Sequence, residues 1–265
     1  MPHRRQSNPQ PDGQPTPAGP LPWPPSPGRG GTDGGLSSRN ANGDLAESVR
    51  RLERKRRSLD RSPPGLNGGP SALPLPDDYY ARATWASFRL EGLDVSPEEV
   101  TDALSQTSAG HALRSRQSQR LRNHAAILHH IESDLRQSTP LSTGGVIRWY
   151  TTVSAGLSTT SLNHSATDRL DELVRRINSP QLRLAASIPE IAVVHVALLA
   201  DPLVPSFNGI LARLLLRYHL GRCALPPVVF DPATPAQRLA DEPALLPQLL
   251  VAIDASYDAI LAQRA

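Results

Sequence analysis

Residues 191–221 read IAVVHVALLADPLVPSFNGILARLLLRYHLG. The pattern predicts a buried helix, a short polar loop over 201–209, and a second buried helix. Pro202 and Pro205 stop the first helix, because proline has no N–H for the ladder. Asn208 is a favoured N-cap type, so the second helix is expected to start close to Gly209. A loop that feeds a helix N-terminus between two apolar helices offers an anion free N–H groups and the positive end of the dipole. Most such junctions merely turn the chain.

A second stretch, SFRLEG at 87–92, closes another expected helix, DDYYARATWASFRLEG. Asp77 or Asp78 can cap it, and Gly92 ends it. Tyr80, Ala83, Trp85, Phe88 and Leu90 are expected to form its broad apolar face.

Together the two stretches resemble the Fic (Fido) family. That family's loop motif is H-P-F-x-(D/E)-G-N-G-R-x-x-R, set between two helices. Aligned without gaps, Asn208-Gly209 match N-G, and Arg213 matches the second arginine. Leu214 and Leu215 match the apolar pair that follows, and His195 stands where a histidine often precedes the catalytic one by seven residues. Many members also hold an inhibitory helix ending in (S/T)-x-x-x-E-(G/N), matched by Ser87, Glu91 and Gly92. The resemblance implies an all-α, Fic-like helical bundle. It implies that Glu91 pairs with Arg213 and fills the place of the ATP γ-phosphate. It also implies a nucleotide site that includes Ser206, Asn208, Gly209 and Arg213. The region between the motifs fits as well, with a long helix carrying Asn123, then TPLSTGGVIRWYTTVSAGL.

The departures fall on the chemistry. Pro202 stands at the catalytic histidine, and a shift of one residue puts Asp201 there instead. Leu203 and Val204 replace P-F, Ser206 the metal-binding acid, Phe207 the first glycine and Ile210 the first arginine. Family enzymes move AMP from ATP to a target hydroxyl, with the histidine as base and Mg²⁺ on the acid. Pro202 takes no proton. Asp201, at an ordinary carboxylate pKa near ~4, is a weak base toward a hydroxyl. Ser206 is a poor Mg²⁺ ligand because it is uncharged. Loss of the base alone costs roughly 10²–10⁴-fold in rate. Only about ten residues, 158–166, stand where the family inserts its substrate-holding flap, so the flap is expected to be short or absent.

Composition bounds the rest. The chain has 265 residues, 27 prolines and one cysteine, so no internal disulfide can form. Residues 1–76 are expected to be a disordered Pro/Gly/Ser-rich tail, and 77–265 one folded domain. PLPWPPSP at 20–27 could dock an aromatic groove as polyproline II, though a tail without a partner is the preferred reading. Within the tail, 44–61 is a basic segment with a thin apolar stripe of Leu45, Val49, Leu52 and Leu59. Binding to nucleic acid, an anionic surface or an acidic partner is weighed there against a solvated charge run, which is preferred. The net charge of +3 is too small to imply nucleic acid by itself. Neither a secretory signal nor a span-length apolar run is expected, which fits a cytoplasmic protein. Lys55 is the only lysine, as codon bias in a GC-rich bacterial genome would produce.

Other helices are expected over 96–106, with a Ser96-to-Glu99 capping box, and over 111–137, 140–157, 166–177, 179–200 and 241–263. Pro189 is expected to kink or split its helix. His124, His129 and His130 are expected at the surface, and no metal site is expected among them.

Three functions are ranked on this basis. First is a catalytically degenerate Fic-fold protein serving as a binding or regulatory module for a protein target or regulator, with ATP and Mg²⁺ as the ligands to test. Second is a divergent transferase inhibited by Glu91. Third is an interaction protein that works through its basic segment.

Overall fold

The structure is a computed structural model that describes residues 38–60, 75, 78–105, 116–154, 164–179, 184–204 and 206–263. The chain divides into two units at residue 35/36, and every described residue lies in the second. The disorder expected for 1–37, the linker at 61–74 and the flap region at 155–163 lie outside the described residues.

All regular structure among the described residues is helical. The elements are α1 (Ser38–Asp60), α2 (Tyr79–Leu90), α3 (Pro97–Ser105), α4 (Arg116–Arg136) and α5 (Thr143–Val153). They continue with α6 (His164–Asn178), α7 (Leu184–Ala200), α8 (Asn208–Arg222), α9 (Ala236–Leu239) and α10 (Glu242–Ala262). The short α9 is an addition to the expected set.

The α7–α8 hairpin is the shared wall of two packed clusters. On one side Val194, Leu198, Ile210, Leu211, Leu214 and Tyr218 pack with side chains from α2 to α6. On the other, Ile188, Ile191, Leu216 and Leu220 pack with α1 and α10. An apolar run with no polar face, such as 191–200 or 210–216, is what a helix buried on both sides requires. Pro189 lies inside α7, yet α7 runs on as one helix. The residue sits in the second turn, where only one ladder bond is lost.

Helix ends follow local chemistry. Ser96 Oγ accepts from the Glu99 N–H at 3.1 Å, and Glu99 Oε2 accepts from the Ser96 N–H at 2.8 Å. This reciprocal capping box fixes the start of α3. Gly92 adopts φ +77°, with Leu93 N donating to Phe88 O at 3.1 Å and Gly92 N to Arg89 O at 2.9 Å. That is a Schellman stop: α2 ends at Leu90, Glu91 is its C-cap and Gly92 follows.

Three expectations are corrected. The tail does not extend to residue 76, because α1 packs against α10 and α7. Val49, Leu52 and Leu59 are buried there with Ile188, Leu249 and Ile253. Lys55 Nζ reaches Asp254 at 2.7 Å and Asp258 at 2.6 Å, and Arg51 Nε lies 3.2 Å from Asp254. The apolar stripe was visible among the arginines, but its partner face on α10 lies about 200 residues away in sequence. Second, α10 is long and apolar enough, by length and composition, to cross a membrane. Its Leu245, Leu249, Ile253, Tyr257 and Ile260 are nevertheless fully buried in this fold. Third, the buried face of α2 is Tyr79, Thr84, Ala86, Ser87 and Phe88, so only Phe88 of the expected five is fully buried. The face is turned by Thr84 and Ser87, whose hydroxyls have partners inside.

Candidate functional site

The site lies where the end of α2 meets the start of α8. Arg213, one turn into α8, points its guanidinium at α2. Its Nε donates to Ser87 Oγ at 2.8 Å, and its Nη2 donates to Ser87 O at 2.7 Å and to Glu91 Oε1 at 2.9 Å. Ser87 and Glu91 are four residues apart, so both face one side of the helix, and the planar fork of arginine spans them. The Arg213 side chain is only 12% exposed and that of Glu91 21%. Burial draws the Arg213 pKa below its ordinary value, while the Glu91 charge opposes that shift. The pair expected from SFRLEG and Arg213 is therefore formed.

The Glu91 carboxylate also rests on the first turn of α8. A Cβ added to Gly209 would fall well inside contact distance of Glu91 Oε1 and within 3.1 Å of Arg213 Nη1. Only glycine leaves this space. A carboxylate at a helix N-terminus is stabilised by the dipole, so Glu91 occupies ground that suits an anion.

Asn208 is not the N-cap. The capping position is Phe207, in the left-handed region at φ +58°, and Asn208 is the first helical residue. The Asn208 amide instead staples the loop: Oδ1 accepts from Leu203 N at 3.0 Å, and Nδ2 donates to Leu198 O at 2.6 Å. Leu203 and Val204 are buried beneath it. The loop keeps a fixed path although Phe207 takes a conformation that favours glycine.

Pro202 and Ser206 are exposed, and Ile210 is fully buried. Asp201 is tied to Arg169 of α6, with Oδ2 at 2.7 Å from Nη2, and the same nitrogen donates to the Asp201 carbonyl. Asp201 is thus an anchor for the loop, paired away from it. Among the described residues no group of three or more His, Cys, Asp or Glu side chains is arranged to hold a metal ion. Position 206 offers a neutral hydroxyl, so these residues do not fit Mg²⁺ by a carboxylate. The first turn of α8 and the Arg213 guanidinium present backbone donors and positive charge to the place that the Glu91 carboxylate takes.

Two histidines stand behind the pair, both buried. The sequence placed His124 at the surface, but it is 2% exposed and its Nδ1 lies 2.9 Å from Thr84 Oγ1. The ring packs edge-to-face against Phe88 of α2, with centroids 5.7 Å apart. His195 Nδ1 donates to Ala212 O at 3.3 Å. Burial, and then the nearby Arg213 charge, push both imidazoles down to about 3. Both are neutral at neutral pH. His129 and His130 are exposed as expected, and His129 stacks on Tyr80 at 3.7 Å.

Sequence reasoning missed two contacts. Arg217 forms a buried two-pronged pair with Glu132, Nε to Oε1 at 2.6 Å and Nη2 to Oε2 at 2.7 Å. A lone cation within LLLRYHL was the available signal, since a charge in an apolar run needs a partner. Arg120 of α4 lies over the Phe207 ring, 5.4 Å from its centroid. Nothing local in the sequence signals that contact.

No family model matches this chain, and no curated protein does. Solved structures do. Fic-1 (residues 134–508) from C. elegans superposes with a TM-score of 0.66 at 16% identity, covering 85% of this chain and 74% of that one. A Fic domain containing signaling protein from Bacteroides thetaiotaomicron gives 0.61 at 17% identity, covering 82% and 98%. A Fic family protein from Desulfovibrio desulfuricans gives 0.56 at 12% identity, covering 86% and 76%. The fold is that of Fic-domain proteins.

Proposed function

We propose that this chain is a Fic-fold protein that no longer carries out AMP transfer and acts as a binding or regulatory module. Its ligand site is the first turn of α8 with Arg213, closed by Glu91. The observation that carries this reading is the contrast within one loop. Arg213 joins Ser87 and Glu91, and Glu91 rests on Gly209, which supports an anion-holding half. The reacting part is absent: Pro202 stands at the base position, Ser206 at the acid, and buried Ile210 at the first arginine.

Calorimetric titration with ATP tests it. The wild-type chain is expected to bind weakly, because ATP must displace a paired carboxylate. Glu91→Gly is expected to bind at least tenfold more tightly, a change of about 1.4 kcal/mol. Equal affinity, or no binding by either protein, would remove the nucleotide site.

A second reading has one observation in its favour, the completeness of the Glu91–Arg213 pair. A divergent transferase would need such a restraint, and in that case Glu91→Gly would release activity as well as binding.

A further inference from the structure

The loop has lost a cation at position 210, where Ile210 is fully buried in the core. No side-chain movement could bring a charge from that position to a phosphate. We infer that Arg120, on α4, supplies the missing cation and is a second phosphate-binding residue of the site. This inference rests on the nucleotide-site reading above and deepens it.

Helix register is the first argument. α2 and α4 pack side by side, with Tyr80 stacked on His129 and Thr84 Oγ1 bonded to His124. A step up α2 is thus a step down α4, and the helices run antiparallel. One more turn brings Arg120 level with Phe88, about one turn from Glu91. That is the end of α2 where the carboxylate rests on Gly209.

Phe207 is the second. It sits two residues before Gly209, held at φ +58°, and its ring lies beneath the Arg120 guanidinium at 5.4 Å. In the family pattern that position is a glycine, which has no face to offer. Here the aromatic side chain carries a cation to the mouth of the loop. A guanidinium over a ring is attracted by the ring's quadrupole and keeps its terminal N–H groups available for a ligand.

Satisfaction is the third. Among the described residues the buried Nε of Arg120 has no hydrogen-bond partner. Arg122 Nε and Arg217 Nη1 share that condition, so the open donor points to a ligand at Arg120 only through its place over Phe207 at the loop. The two carboxylates at the loop are already engaged, Glu91 by Arg213 and Asp201 by Arg169. A polyphosphate entering at Gly209 would bring acceptor oxygens for both guanidiniums, and arginine's fork suits them.

The ligand chemistry is a chain of phosphates, whether part of a nucleoside triphosphate or free. The test uses the full chain with Glu91→Gly, titrated with ATP and, separately, with inorganic tripolyphosphate. Adding Arg120→Gln is expected to weaken both by roughly tenfold, the usual cost of one charge-assisted contact. Arg116→Gln, which removes an exposed charge from the same helix, is expected to change neither. Arg120→Lys should fall between, since it keeps the charge and loses the fork. It also decides the matter should Arg120→Gln lower the melting midpoint. Unchanged affinity for both ligands in Arg120→Gln, or in Arg120→Lys where that variant decides, would overturn the inference. Weakening for ATP alone would assign Arg120 to the nucleoside and overturn its phosphate role. If Glu91→Gly itself binds neither ligand, the site reading fails, and this inference fails with it.

Discussion

Arg213 is the residue on which the site turns. Its fork reads a hydroxyl, a carbonyl and a carboxylate from one helix, and it reaches them because Ser87 and Glu91 lie one turn apart. The same charge acts on the two histidines behind it. Burial first, and Arg213 second, depress His124 and His195 to about 3, and burial depresses His219 to about 4. The ordinary value is about 6.5, so between these limits the unfolded chain binds more protons than the folded one. Stability contributed by these neutral imidazoles is complete above pH ~6.5. It is lost as pH falls toward 4 and then 3, at up to about 1.4 kcal/mol per pH unit for each histidine. Urea melts at pH 7.5 and 5.5 should show a marked loss. His219→Leu should flatten that slope by about a third, and a slope unchanged by it would mean that His219 is not buried in its neutral form.

At the scale of elements, α1 is the largest correction. Its arginines and its position after a proline-rich stretch read as part of a tail. Three apolar residues, Val49, Leu52 and Leu59, decide otherwise, since each is at most 5% exposed. Burying such side chains is worth roughly 1.5–3 kcal/mol each, enough to offset the ordering of a short helix once a partner face exists. That face is on α10, with Asp254 and Asp258 placed for Lys55. Leu52→Ala should therefore cost about 2–4 kcal/mol in chemical denaturation, as for a fully buried leucine. A loss under about 0.5 kcal/mol, typical of a surface change, would mean that α1 does not dock.

The parts legible in the sequence were those set by neighbours in the chain. The Ser96–Glu99 box, the Gly92 stop and the helix expected over 166–177 all follow from short spacings, and all are present. The Glu91–Arg213 pair was legible only because two short motifs, 122 residues apart, were read together. The docking of α1, the burial of His124, the Glu132–Arg217 pair and the Arg120–Phe207 contact were not legible. Each depends on which helix lies opposite, and no local pattern carries that.

Among the described residues the fold is helical throughout and built around the α7–α8 hairpin, with the Glu91 carboxylate seated against the start of α8. On the proposed reading this site holds a nucleotide without transferring it. The most direct measurement is incubation of the wild-type chain and Glu91→Gly with Mg²⁺ and ATP labelled on the α-phosphate, followed by detection of label on protein. No label is expected on either protein or on added cell lysate, even under conditions where Glu91→Gly binds ATP. Label that appears or rises in Glu91→Gly would contradict that reading, and would show a transferase whose base is something other than a histidine at position 202.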